Sequence, residues 1–350
     1  MPKLGEMAKI ILFDLDTGTH RTLTETKAWN FQQGCMLHWL PSDPNQKIIY
    51  NDCDGHKPVA KVLDINTGET WSLPKAIYGL GHGKDIGLAT NPTKLARNRK
   101  VTSYPCFEDI PMKNHMDRHP KNDGVYLMDL HTGESHMIID IDRIWNADPV
   151  TREMDPEELD DPNVSEMWFD HVGLSPDNKR IFILARFKKF GGGLITSMWT
   201  VNTDGSDLYK MVDYYTNLSH FEWLLPTEIM VTMKILPNTP HSHVILTDRT
   251  PNKRVFAPNA LTRDGHPTLS PDGTLLATDC YPTQGFRYVY VAEMQSETVT
   301  TVASFANPKE ITGELRCDPH CRWSRDGRQL CFDGITPAGD RQVFLIDIEK

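Results

Sequence analysis

No segment of this 350-residue chain holds the run of about 18 apolar residues that a membrane-crossing helix requires. Positive charge is also scarce: 37 Lys and Arg against 47 Asp and Glu leave a formal net charge of −10. A surface that neutralises nucleic-acid phosphates needs clustered cations, so nucleic-acid binding is excluded as the main activity. A local cationic pocket for an acidic ligand is not excluded. Paired cysteine motifs are missing too. Cys317 and Cys321 stand four apart with no second pair to close a zinc site, and the seven cysteines are irregularly spaced. They read as reduced thiols of a cytoplasmic protein. The opening Met1-Pro2-Lys3-Leu4-Gly5-Glu6 lacks the apolar core of a secretory signal. Long amphipathic helical periodicity is absent.

What the chain has instead is a repeat. An apolar strand runs into an acidic turn at Ile10-Ile11-Leu12-Phe13-Asp14-Leu15-Asp16-Thr17-Gly18, again at Val62-Leu63-Asp64-Ile65-Asn66-Thr67-Gly68, and again at Tyr126-Leu127-Met128-Asp129-Leu130-His131-Thr132-Gly133. Asp-x-x-Thr-Gly is a hairpin turn in which Gly takes the positive φ and Asp bonds the local backbone. Weaker copies follow near Asn202, Asp248, Glu293 and Asp347, which makes seven. A second signature is an apolar strand with a Pro-Asp-Gly-like turn. It occurs at Leu174-Ser175-Pro176-Asp177-Asn178, Leu269-Ser270-Pro271-Asp272-Gly273 and Trp323-Ser324-Arg325-Asp326-Gly327.

Short strands in units of about 45–50 residues mark the blades of a β-propeller. A β-sandwich also uses short strands but needs no repeated unit. The expected fold is therefore all-β: one seven-bladed β-propeller domain over residues 1–350, its first blade incomplete. Residues 91–124 and 141–167 break the rhythm and read as long loop insertions. The first carries Lys94, Arg97, Arg99, Lys100, Lys113 and Arg118, and the second the acidic run Glu153 to Asp161.

Aligning the repeats on the turn isolates a set of histidines. His171, His266 and His320 each stand six residues before the turn aspartates Asp177, Asp272 and Asp326. Each also stands three before a large apolar residue, Leu174, Leu269 and Trp323, and His220 keeps that distance of three to Trp223. The first strand of a propeller blade lines the central channel, so equivalent positions lie at one level. Residues two apart on a strand share a face, which adds Asp264 to His266 and Asp318 to His320. Imidazoles and carboxylates together suit a divalent metal, while a remaining imidazole can transfer a proton. Inner-strand histidines can equally serve only to hydrogen-bond adjacent blades. Arg186, Arg316 and Arg322 are nearby cations that would complete an anion site. Arg186 and Arg316 are the candidates for carboxylate binding, because the guanidinium fork matches a carboxylate, and each alone equally fits a surface ion pair. Tyr281 is a proton donor or a rim aromatic.

At His171-Val172-Gly173-Leu174-Ser175-Pro176, His266-Pro267-Thr268-Leu269-Ser270-Pro271-Asp272-Gly273 and Asp318-Pro319-His320-Cys321-Arg322-Trp323-Ser324-Arg325-Asp326-Gly327 the chain resembles the oligogalacturonate lyases, and more broadly the TolB-like propeller repeats. The resemblance implies a carbon–oxygen lyase that binds Mn²⁺ through histidines and cleaves uronate-containing oligosaccharides by β-elimination. By position, His266 and His320 match metal ligands, and His171 matches the base. Asp318 stands where the family has a further histidine. Leu315, with Glu314 beside it, stands where a glutamine ligand is expected. The expected site is therefore His171, Arg186 and His220 as catalytic residues, with Arg316, Arg322 and Tyr281 for the substrate. His266, His320, Asp318 and Asp264 complete it as metal ligands. Two other readings stay open: a non-catalytic propeller that scaffolds proteins or senses a ligand, and a metal-dependent hydrolase.

Overall fold

A computed structural model of the protein describes residues 2–3, 5–55, 57–107, 117–153, 166–188, 194–214 and 216–349. Lys113 and residues 154–161 of the acidic run lie outside them. The chain divides into two compact units, Met1–Leu208 and Tyr209–Lys350.

The repeated turns form as their side chains dictate. Asp14 Oδ1 accepts from the backbone N–H of Asp16 and Thr17, at 3.0 and 2.8 Å. Asp64 does the same for Asn66 and Thr67, and Asp129 for His131 and Thr132. Each hairpin then closes through a glycine in the left-handed region, with φ of 69° at Gly18, 77° at Gly68 and 74° at Gly133. The second signature is built just as locally. Ser175, Ser270 and Ser324 each donate to the turn aspartate, at 2.7, 2.7 and 2.6 Å. The same hydroxyls accept the backbone N–H of Arg180, Leu275 and Gln329, which fixes where the next strand begins.

These turns join small antiparallel sheets whose strands follow chain order, the all-β pattern of a β-propeller. Among the described residues the blade sheets number six, not seven. The first repeat copy forms only a two-stranded ribbon, Ala8–Phe13 with His20–Thr26. In the first unit the strands His38–Trp39, Lys47–Asp54, Lys57–Asp64 and Thr70–Leu73 form one sheet. Gly79–Leu80, Ile86–Ala89, Gly124–Asp129 and Ser135–Asp140 form the next. Trp168–Leu174, Arg180–Lys188 and Leu194–Asn202 run antiparallel beyond them.

The two insertions are not simple loops. The first opens with the helix Pro92–Asn98, whose cap Asn91 accepts from Thr93 and Lys94 and whose proline occupies the first turn. The second opens with the helix Ile141–Ala147, capped by Asp140.

In the second unit the sheets are Phe221–Leu225, Glu228–Lys234, His241–Thr247 and Lys253–Phe256; then Thr268–Leu269, Leu275–Asp279, Phe286–Glu293 and Val299–Ala306; then Arg322–Trp323, Gln329–Ile335 and Arg341–Asp347. Met230, Ile245 and Phe256 of the first of these pack on Leu276 and Ala292 of the second. Ala277, Val289 and Val291 of the second pack on Leu330 and Phe332 of the third. These cores stack the sheets face to face and bring their first strands side by side. Among the described residues no helix is long and apolar enough to cross a membrane.

Candidate functional site

His220, His266 and His320 stand at or just before the first strands of three successive sheets in the second unit. The face-to-face packing of those sheets stacks their rings. The ring centroids of His220 and His266 are 3.8 Å apart, and those of His266 and His320 are 4.0 Å apart. Asp279, at the end of the strand Leu275–Asp279, holds two of them. Its carboxylate accepts the His266 backbone N–H at 2.8 Å and the His320 backbone N–H at 3.0 Å. Both its oxygens lie 2.9 Å from His266 Nδ1. That places a proton on Nδ1 and leaves the Nε2 lone pair for a ligand. His320 pays for its position with φ of +44°, a left-handed conformation unusual for a residue with a Cβ. Gly265 lets the chain pass this point. A Cβ there would lie 1.9 Å from the Asp279 carbonyl oxygen.

His266, Asp318 and His320 bring one ligand atom each to within 4.8 Å of one another, an arrangement that could hold a metal ion. Burial holds the His266 and His320 imidazoles well below the ordinary histidine range, and the neighbouring imidazoles push the same way. Both are neutral at pH 7 and can donate lone pairs. Burial pushes the Asp318 carboxyl up. Arg316, His266 and Arg287 more than reverse that, so it is ionised. Two neutral imidazoles and a carboxylate suit a divalent cation.

Asp264, expected as a further ligand, is not part of this group. It sits behind His220, accepting from Thr232 Oγ1 at 2.6 Å and pairing with His220 Nδ1 at 3.0 Å. Burial raises its carboxyl, but these two hydrogen bonds bring it well below the usual carboxylate range. A fixed anion on Nδ1 orients His220 so that Nε2 is its basic atom.

The three arginines differ in what they already hold. Arg316 donates from Nε to Asp318 Oδ2 at 2.6 Å. Arg322 is exposed, donates to its neighbour's carbonyl at Cys321, and makes no ion pair among the described residues. Its charge nonetheless acts on His266, His320 and Glu222. Arg186, expected near a substrate carboxylate, is instead committed inside the first unit. It is 3% exposed and donates to Asp170 and Thr196, an internal ion pair. Tyr281 lies 5.8 Å from the His220 ring and 6.1 Å from the His266 ring. Burial, with Asp318 nearby, pushes its phenol far above the ordinary range and keeps it protonated.

His171 belongs to the first unit. It lies inside its strand, at a break in register between Phe169 and Val172, whereas His266 and His320 precede theirs. Its Nδ1 is 2.8 Å from Asp170, a fully buried carboxylate also held by Arg186 and Arg99. Tyr78 meets its ring edge-on at 5.5 Å.

Four contributors are not apparent from spacing. Asp279 supports two ligands, and its signal is a Thr-Asp pair closing an otherwise apolar strand. Arg287 is 2% exposed and places Nη1 2.8 Å from Asp318 Oδ1. His243 is buried, which lowers it to about 4, and lies 3.0 Å from Thr278 Oγ1. Glu222 follows His220 by two residues, and burial raises its carboxyl to about 7 against the pull of Arg322.

No family model matches the sequence, and no curated protein matches it. Solved structures do. The chain is similar to an oligogalacturonate lyase in complex with manganese, at 14% identity over 100% of this chain and 99% of that one, with a TM-score of 0.45. It is similar to a putative TolB from Agrobacterium tumefaciens at 11% identity over 99% and 100% of the two chains, TM-score 0.48. It is also similar to a prolyl endopeptidase structure at 12% identity, over 94% of this chain and 41% of that one, TM-score 0.53. At these identities the likeness establishes the architecture alone: the chain is a β-propeller protein.

Proposed function

We propose that the second unit binds a uronate-bearing oligosaccharide and cleaves it by β-elimination. The observation that carries the reading is the juxtaposition of three stacked imidazoles and the Asp318 carboxylate, with the Arg322 guanidinium, which makes no ion pair among the described residues, in electrostatic reach of His266 and His320. His266, His320 and Asp318 would hold a divalent cation, Mn²⁺ by the resemblance. The donor chemistry supports this, because Asp279 occupies His266 Nδ1 and so presents Nε2, the usual carboxylate–histidine–metal arrangement. When bound, the cation supplies Lewis-acid stabilisation of charge developing on a carboxylate.

The side chains supply the rest. Arg322 takes the uronate carboxylate through its fork and draws electron density from it. That acidifies the hydrogen on the ring carbon bearing the carboxylate. His220, oriented by Asp264, accepts this proton at Nε2. The C–H electron pair becomes the double bond to the next ring carbon. The bond from that carbon to the glycosidic oxygen breaks, and the oxygen leaves with a proton returned from His220 or from water. No water is consumed, and the product is an unsaturated sugar. The resemblance assigns the base to His171, whereas the arrangement within the second unit favours His220. Alanine variants of the two separate these assignments.

A ligand-sensing propeller without catalysis is the competing reading. It is favoured by the two guanidinium charges already on Asp318, Arg287 facing Oδ1 and Arg316 bonded to Oδ2. The test is incubation of the Mn²⁺-loaded protein with pectic, glucuronic and rhamnosyl-uronate oligosaccharides, following ultraviolet absorbance of the unsaturated product. Absorbance growth that His220→Ala abolishes supports the lyase. Binding of a uronate with no product supports the sensor.

A further inference from the structure

Asp318 is held by two arginines of different character. Arg287 is 2% exposed, pairs through Nη1 with Asp318 Oδ1 at 2.8 Å, and is itself fixed by Asn307, which accepts from its Nε at 2.8 Å. Arg316 pairs through Nε with Oδ2 at 2.6 Å, and its side chain is 22% exposed. It also donates to the Gly313 carbonyl at 3.3 Å and neighbours the Tyr281 hydroxyl. Arg287 is therefore part of the packed wall, while Arg316 reaches Asp318 from the open side. Asp318 is the only anion in the candidate metal group. A divalent cation needs one of its oxygens, and a guanidinium already on that oxygen repels the cation.

We infer that Arg316 is a placeholder cation: it neutralises Asp318 until a divalent metal takes its place on Oδ2, and the released guanidinium then becomes an anchor for the ligand's carboxylate. This rests on the proposed metal and uronate reading, and it explains a feature that reading leaves over, an arginine within ion-pair distance of each oxygen of the anionic ligand. Arg287 stays on Oδ1 throughout and keeps the carboxylate oriented. Metal loading and carboxylate binding are then coupled through a single side chain, and the coupling must be reciprocal.

The test measures Mn²⁺ affinity by calorimetry on the full-length protein, with no turnover required. Loss of one charge-assisted contact on the ligand oxygen is expected to tighten Mn²⁺ binding in Arg316→Gln by about tenfold or more. Arg316→Lys, which keeps the charge but loses the fork, should fall between Arg316→Gln and the native chain. Arg322→Gln removes a nearby charge that does not touch Asp318 and should change the affinity less. Galacturonic acid should bind the native protein about tenfold more tightly with Mn²⁺ than without, and Arg316→Gln should lose that difference. Tight Mn²⁺ binding that is unchanged in Arg316→Gln, or raised equally by Arg322→Gln, overturns the displacement while leaving the metal site standing. No Mn²⁺ binding by either protein overturns both. Circular dichroism of each variant establishes that it is folded before its affinity is compared.

Discussion

Two of the three stacked imidazoles are kept neutral by the residues around them. His266 and His320 are held unprotonated first by burial and then by one another. His243 obeys the same logic, lowered to about 4 by burial against an ordinary 6.5. The sign follows directly. Below about 6.5 the unfolded chain takes up a proton that the folded His243 refuses, so stability falls as the pH drops from 6.5 to 4 and levels off below that. The shift corresponds to about 3 kcal/mol over that window. Urea unfolding at pH 7.5 and pH 4.5 should show a smaller loss for His243→Gln than for the native protein. Asp279 is the residue on which the metal site leans hardest, because it orients His266 through the ring and His320 through the backbone. Asp279→Asn is expected to weaken Mn²⁺ binding by about 10–100-fold, the usual cost of losing a ligand's outer carboxylate. Calorimetry reads this directly. Unchanged affinity would mean that the two histidines keep their aim without it.

Among the elements, the turns were the readable part. Asp14, Asp64 and Asp129 bond residues two and three ahead, and Ser175, Ser270 and Ser324 close their turns within five residues. Contacts that local leave a spacing pattern in the chain. The helix Pro92–Asn98 was equally local, announced by Asn91-Pro92, yet it falls in a stretch that breaks the repeat and reads as loop. Blade number was miscounted because the Asp-Thr-Gly motif marks hairpins, and the hairpin at Asp14 belongs to a two-stranded ribbon. Arg287 left no pattern, since its partner is 31 residues away, and Asp279 left only the Thr-Asp pair that closes an apolar strand, since its farther partner is 41 residues away. Gly265 shows how an element's ending sets the site. Gly265→Ala must push the chain before His266 away from the Asp279 carbonyl, at a cost of about 3 kcal/mol by the measure of overpacked sites. Ser270→Ala removes a turn bond farther along the same sheet and should cost about 1 kcal/mol. Thermal melts should rank the two in that order, and only Gly265→Ala should also lose Mn²⁺.

At the scale of the molecule, the repeat puts one histidine at the head of each of three successive sheets in the second unit, and packing of one sheet on the next turns that repetition into proximity. The register made the histidines legible together. It could not show which acid stands behind each ring, Asp264 behind His220 and Asp279 behind His266, because those pairings cross between strands. The candidate metal ligands come from two different sheets of the second unit: His266 leads into Thr268–Leu269, and Asp318 and His320 lead into Arg322–Trp323. A cation bound by all three is a cross-link between those sheets. A ligand that binds only the folded state stabilises it by about 2.7 kcal/mol at a concentration 100 times its dissociation constant. That stabilisation should appear first where the ligands converge. Hydrogen exchange is expected to slow on adding Mn²⁺ in peptides spanning residues 264–281 and 316–323, and to remain unchanged by Mn²⁺ in His320→Ala. Slowing that survives in His320→Ala would place the cation elsewhere on the protein and separate the stacked histidines from any metal chemistry.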